Sequence, residues 1–196
     1  MLTEKMSIII CPGIHEPALT ENFISGGLET YFQSQENSVN ILSVPNDGFS
    51  ALSGFHILEV LSVDAERLVA RHRTKSPVIF ISFSAGVVGA ITAAHSWQML
   101  GGYIKAFIAI DGWGVPLWGS FPIHRMSHDY DTHWSSKILG SGEDNFYADP
   151  AVEHLSMWRS PQTIQGRWVD SSNELSPPKS CLTAAEFLQM LLNRYQ

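Results

Sequence analysis

Short apolar runs alternate with amphipathic stretches along the first 110 residues of this chain. Four of the runs are rich in β-branched and aromatic residues and have the length of buried strands; they span 6–11, 39–44, 77–81 and 103–110. Between them, as at 57–69, apolar residues recur every three or four positions, the spacing of a helix with one buried face. Strands alternating with helices predict a mostly parallel sheet covered on both faces.

The pattern continues more loosely toward the C-terminus. Residues 121–128 and 144–148 can form two further strands, with a short helix at 132–139 between them. Thr183 and Glu186 match a capping box at the start of a last amphipathic helix. A length of 196 residues suits one domain. We therefore expect a single α/β domain over 1–196, a three-layer α/β/α sandwich around a mostly parallel sheet of about six strands.

Ser84 lies at the turn between the third expected strand and the helix that follows it. The local sequence is Ser82-Phe83-Ser84-Ala85-Gly86, followed by a run of small residues. A serine in a tight strand–turn–helix is typical of a nucleophile elbow, which projects the hydroxyl from the carboxyl edge of the sheet. Open parallel sheets bind ligands at that edge. The alternative is an ordinary β–α turn in which Ser84 only caps the helix.

A serine nucleophile needs a base to take its proton, and the base needs a carboxylate to orient it. In this topology the order along the chain is serine, acid, histidine. His154 follows the last expected strand and is the best placed base. Asp129 ends the penultimate strand and is the preferred acid; Asp111, which ends the fourth strand, is the alternative.

Stabilising an oxyanion needs two N–H donors. The backbone N–H of Ala85, directly after the serine, is one candidate. The other should come from the loop after the first strand, where Gly13 lets the backbone approach closely and Ile14 or His15 would donate. The alternative is that Pro12-Gly13 marks only a turn.

The segment at about 111–121 is a loop by composition, with several glycines and a proline, yet it is apolar. It can be a connection packed onto the domain or a cap-like wall for an apolar substrate group. In the second case Trp113 and Trp118 would line the substrate pocket, together with Trp158, which follows His154 closely in sequence.

The whole chain resembles small α/β-hydrolases of the minimal lipase or esterase type. The resemblance implies a Ser–His–Asp triad, ester hydrolysis through an acyl-enzyme on Ser84 and no cofactor. Two positions differ from the usual motifs: Ser82 replaces the first glycine of Gly-x-Ser-x-Gly, and Pro12 precedes Gly13 where His-Gly is common. The segments that carry the resemblance are 12–15, 82–86, 122–129 and 152–155.

Composition and charge limit the classes of binding partner and the cellular location that we expect for this protein. A net charge of −7 without a basic run argues against a nucleic-acid or anionic-membrane surface. The apolar run at 6–11 is too short for a signal sequence or an integral membrane segment. The two cysteines, Cys11 and Cys181, form neither a disulfide framework nor a metal motif. We expect a cytoplasmic enzyme whose partner is a small-molecule ester with an apolar group.

Two other classes of function remain open. A non-catalytic α/β-hydrolase-like binding protein would keep the turn at Ser84 but misplace His154. A metal-binding protein would use the dense run of ligand types from His124 to His133, in which His124 and His128 point the same way along a strand. The spacing of this run fits no standard metal motif, so we expect no metal.

Overall fold

The structure is a computed structural model that describes residues 6–34, 39–45, 48–69, 76–170 and 181–196. It contains one eight-stranded sheet among these residues, in the order β2-β1-β3-β4-β5-β6-β7-β8. The strands are β1 Met6–Cys11, β2 Val39–Ser43, β3 Val78–Phe83, β4 Ile104–Ile110, β5 Ile123–Ser127, β6 Asp144–Ala148, β7 Gln165–Asp170 and β8 Cys181–Thr183.

Helices cover both faces of this sheet. The α-helices are α1 Pro17–Asn22, α2 Glu29–Ser34, α3 Gly54–Val69, α4 Gly86–Met99, α5 Tyr130–Lys137, α6 Ser156–Arg159 and α7 Ala184–Arg194. A π-helical turn, Phe23–Gly27, joins the first two, and 3-10 turns occupy Gly48–Leu52 and Pro161–Thr163. None of the described helices is long and apolar enough to cross a lipid bilayer.

The core consists of two apolar clusters, one on each face of the sheet. Along β1, Ile8 and Ile10 belong to the cluster beneath α7, whereas Ile9 and Cys11 belong to the cluster beneath α3 and α4. The alternation follows from the two-residue period of a strand, so a strand buried on both faces is apolar at every position. The three-layer α/β architecture expected from the sequence is therefore confirmed.

The six strands expected from the sequence all form, and β1 to β6 pair in parallel. Two further strands, β7 and β8, extend the sheet in antiparallel pairing beyond β6. They were not expected, because neither the largely polar 165–170 nor the three-residue strand at 181–183 has the apolar run of a buried strand. The capping box of Thr183 and Glu186 opens α7 as expected.

Candidate active site

Ser84 lies between β3 and α4 in a strained conformation. Its φ of 52° is in the left-handed region, which costs a non-glycine residue roughly 1–2 kcal/mol. The tight turn is possible because Gly86 opens α4 directly against the end of β1. A Cβ atom on Gly86 would lie 2.2 Å from the carbonyl oxygen of Pro12. The sequence Ser84-Ala85-Gly86 therefore forms the sharp strand-to-helix turn that the sequence predicted.

His154 meets Ser84 from the loop that follows β6. Its Nε2 atom lies 2.9 Å from Ser84 Oγ, and its ring stacks on that of Phe83 with centroids 4.8 Å apart. The backbone N–H of Val152 donates to the carbonyl oxygen of His128, which ties this loop to the end of β5. The ring is 40% exposed, so its free edge is open to the cavity.

The carboxylate behind His154 is that of Asp111, at the end of β4. Its Oδ2 atom accepts from His154 Nδ1 at 2.9 Å, and the side chain is only 1% exposed. Asp111 also has a positive φ, 51°, and its N–H donates to the carbonyl oxygen of Met126 in β5. The strained turn at the strand end aims the carboxylate across the sheet edge toward His154.

Asp129 does not take this position, and the preference for it as the partner of His154 was wrong. It is the N-cap of α5, where its Oδ1 atom accepts from the N–H of Thr132 at 2.6 Å. Burial raises the pKa of Asp129, but the hydrogen bonds from Thr132 and the charge of His128 together hold the pKa below its usual range. Its other oxygen, Oδ2, lies 3.3 Å from Nε2 of His128.

His128 also contacts Asp111, and sequence reasoning did not predict this contact. Its backbone N–H donates to Asp111 Oδ1 at 2.8 Å, and its Nδ1 lies 3.1 Å from the same oxygen. The hydrogen bond to Asp111 raises the pKa of His128, although partial burial opposes it. The signal in the sequence that could have indicated this contact is its position: His128 directly follows β5 and so lies at the sheet edge that holds Ser84 and Asp111.

The loop after β1 passes directly beside Ser84. A Cβ atom on Gly13 would lie 2.9 Å from the Cβ of Ser84, so the close approach requires glycine. Ile14 is exposed, and the ring of His15 lies 5.8 Å from that of Phe83. Ala85 is the residue from which α4 begins. The candidate N–H donors of Ala85, Ile14 and His15 thus belong to two segments that flank the serine; their role remains a prediction.

A cavity of about 470 Å³ opens over Ser84 and His154. Trp113 lines it while remaining 69% exposed, as expected for a pocket residue. The expectation was wrong for the other two tryptophans. Trp118 stacks on His95, 5.1 Å away, and does not line the cavity; Trp158 is fully buried against Phe23. The apolar lining comes from Leu52, Ala85, Val88, Trp113 and Val115.

The histidine run proposed as a metal cluster is dispersed. His124 is buried with its ring nitrogens 3.0 Å from the carbonyl oxygen of Asp144 and 2.9 Å from the hydroxyl of Tyr195. His133 is buried beside the ring of Tyr147. Burial lowers the pKa of each histidine to about 4. His128 alone of these three histidines lines the cavity, so the three do not form one cluster.

Among the described residues, Asp111, His128 and His154 do bring potential ligand atoms within 4.8 Å of one another. These atoms already hydrogen-bond to each other, and His154 also meets Ser84. We therefore interpret Asp111, His128 and His154 as part of a hydrogen-bonded network that begins at Ser84, and not as metal ligands.

No protein-family model matches the sequence, and no curated protein matches it. Among solved structures, lipase B of Aspergillus fumigatus aligns with 60% of this chain at a TM-score of 0.38 and 22% sequence identity. The aligned part spans 27% of the lipase chain. This likeness is too low to assign an activity, so the proposal below rests on the side chains of the site.

Proposed function

We propose that this protein is a serine hydrolase of the α/β-hydrolase type that cleaves a carboxylic ester through an acyl-enzyme on Ser84. The observation that carries the proposal is the series Ser84 Oγ, His154 and Asp111, joined by two contacts of 2.9 Å across three different loops. A serine that merely capped α4 would need neither a histidine at its hydroxyl nor a buried carboxylate behind that histidine.

In the first step the Ser84 hydroxyl donates its proton to Nε2 of His154 while Oγ attacks the ester carbonyl carbon. Asp111 accepts from Nδ1 and stabilises the imidazolium that forms. The N–H of Ala85, with that of Ile14 or His15, would bind the oxyanion. The C–O bond to the alcohol then breaks, and His154 returns the proton to the departing oxygen.

Deacylation uses the same groups. His154 takes a proton from a water molecule, the hydroxide oxygen attacks the acyl carbon, and the proton returns to Ser84 Oγ as the acid leaves. Because every proton moves through His154, the half-exposed ring must stay accessible to water between the two steps.

The cavity supports an ester with an apolar group. Its apolar residues come from three separate segments: Leu52 from the 3-10 turn at Gly48–Leu52, Ala85 and Val88 from the start of α4, and Trp113 with Val115 from the loop after β4. A volume of about 470 Å³ suits a small molecule and not a long polymer segment.

The test is hydrolysis of p-nitrophenyl esters of increasing acyl length by wild type, Ser84→Ala and Ser82→Ala. Ser82 is a matched control, because it is fully buried two residues away and its hydroxyl donates to the carbonyl oxygen of Ile108. We expect Ser84→Ala to lose several orders of magnitude in kcat and Ser82→Ala to retain turnover. A folded wild type without ester hydrolysis would favour a non-catalytic binding protein instead.

A further inference from the structure

The two oxygens of the Asp111 carboxylate serve two different histidines. Oδ2 accepts from His154, whereas Oδ1 accepts from the backbone N–H of His128 and lies 3.1 Å from its ring Nδ1. The two rings are 5.8 Å apart and nearly perpendicular. His128 therefore contacts the carboxylate oxygen that His154 does not, and it does so with two polar atoms.

The second ring nitrogen of His128 faces another carboxylate. Its Nε2 lies 3.3 Å from Asp129 Oδ2, while Asp129 is fixed by its hydrogen bond from Thr132. An ionised carboxylate can only accept hydrogen bonds. Both contacts are favourable only when both ring nitrogens carry a proton, so this geometry favours the imidazolium form of His128 between the two carboxylates.

The charges around His128 favour the same state. Asp111 faces it from the end of β4, Asp129 from the start of α5, and Glu153 contributes from the loop that carries His154. The hydrogen bond to Asp111 is the largest of the effects that raise the pKa of His128, and the charges of the three acids add to it.

We propose that protonated His128 is a positioning residue, which orients the Asp111 carboxylate so that Oδ2 faces His154, and that Asp129 supplies its counter-charge. The inference rests on the proposed function. Two donors from His128 occupy Oδ1 and prevent rotation of the carboxylate. When the ring loses a proton, its positive charge beside Asp111 disappears and one nitrogen presents a lone pair to a carboxylate oxygen, so the support of Asp111 weakens.

Asp129 then acts on His154 indirectly, through three successive contacts: Asp129 with His128, His128 with Asp111, and Asp111 with His154. The N-cap geometry suits that role, because Asn can replace Asp as a cap while removing the charge. Asp129→Asn is thus a clean variant: it should preserve α5 and lower the proton affinity of His128 alone.

The direct test is a ¹⁵N NMR titration of the histidine rings in the full chain, with the His128 signals identified by their absence from His128→Asn. We expect both ring nitrogens of His128 to be protonated at pH 7 and to titrate above the ordinary value for histidine. Asp129→Asn should shift that titration to lower pH by about one unit, the lower end of the effect of a nearby opposite charge. A His128 that is neutral at pH 7, or a titration that Asp129→Asn leaves unmoved, would overturn the proposal.

The kinetic test is the pH profile of kcat/KM on one activated ester. In wild type, kcat/KM should fall at alkaline pH as His128 loses its proton. In Asp129→Asn this alkaline fall should occur at lower pH, displaced by the shift seen in NMR. His128→Asn should not show this alkaline fall. The Asn side chain keeps a donor near the position of Nδ1, so His128→Phe should lose more kcat than His128→Asn, up to about 100-fold, with little change in KM. A His128→Asn profile that superimposes on wild type would refute the proposal.

The same experiments separate this inference from the proposed function. Retained hydrolysis in Ser84→Ala would remove the proposed function and the inference with it. Hydrolysis that depends on Ser84 but shows the same alkaline limb in wild type, Asp129→Asn and His128→Asn would overturn the inference alone.

Discussion

Asp111 Oδ2 lies 2.9 Å from His154 Nδ1, although the two residues are 43 positions apart in the chain. Because of this contact, we expect turnover to depend on the carboxylate of Asp111. Asp111→Asn should reduce kcat by roughly 10³–10⁴, because the amide favours the wrong tautomer of the histidine. Asn also tolerates the φ of 51° at this position, so the fold should survive.

Asp129→Asn is the matched control for this prediction. At neutral pH the kcat of Asp129→Asn should fall less than about tenfold, since Asp129 contacts His128 and the backbone of Thr132 but not His154. Steady-state kinetics on a short-chain ester compare the two. A larger loss in Asp129→Asn than in Asp111→Asn would contradict the assignment.

The second prediction concerns the packing that holds the serine turn. Gly86→Ala would place a methyl group 2.2 Å from the carbonyl oxygen of Pro12, so α4 must move away from the end of β1. We expect the free energy of unfolding to fall by at least about 1–3 kcal/mol, the usual cost of overpacking.

Gly26→Ala is the control, because its methyl would meet only the end of the flexible Gln162 side chain at 3.3 Å. Urea denaturation of both variants measures the difference. Equal stability of Gly86→Ala and wild type would show that the turn can relax.

The third prediction concerns acyl-chain selection. Trp113→Ala should lower kcat/KM for longer acyl chains more than for acetyl esters, because the indole lines the cavity and a short acyl group has less apolar surface to bury against it. Trp118→Ala is the control: the residue is equally exposed but stacks on His95 outside the cavity. If the two variants change the chain-length profile alike, Trp113 does not contact the acyl group.

The fourth prediction is a loss of stability in acid. Burial lowers the pKa of His124 and of His133 from the ordinary 6.5 to about 4. Between these values the unfolded chain binds protons that the folded chain does not, so stability falls as the pH falls from 6.5 toward 4. The slope is at most about 1.4 kcal/mol per pH unit for each histidine.

Urea denaturation at pH 7 and pH 5 measures this loss. His133→Phe, which replaces a buried imidazole next to Tyr147 with an apolar ring, should reduce the difference between the two pH values. An equal change in stability between pH 7 and pH 5 in wild type and His133→Phe would contradict the burial of His133 in neutral form.

The sequence was sufficient to predict the strands that have strong apolar runs and to locate the residues at the carboxyl ends of those strands. Ser84 and His154 could be paired because the end of a parallel strand and the loop after a later one converge on one sheet edge. The choice between Asp111 and Asp129 could not be made in this way, since both end neighbouring strands. It depends on the left-handed turn at Asp111 and on the N-cap of α5, neither of which leaves a periodic pattern.

The tryptophans show a second limit of prediction from the sequence. Trp158 follows His154 by four positions, but α6 turns it into the core against Phe23, whereas Trp113 stays at the cavity. Apolar composition cannot distinguish a core residue from a pocket residue. The two added strands show the same limit of composition: β7 and β8 lack an apolar run, and their positions are set by the pairing of β7 with β6 and of β8 with β7.

Covalent labelling with a fluorophosphonate tests the central proposal most directly, because the reagent phosphonylates only a serine that an adjacent base activates. Peptide mapping by mass spectrometry should place the label on Ser84 Oγ, Ser84→Ala should remain unlabelled, and Ser82→Ala should label like wild type. Label on another residue, or equal labelling of wild type and Ser84→Ala, would contradict Ser84 as the nucleophile.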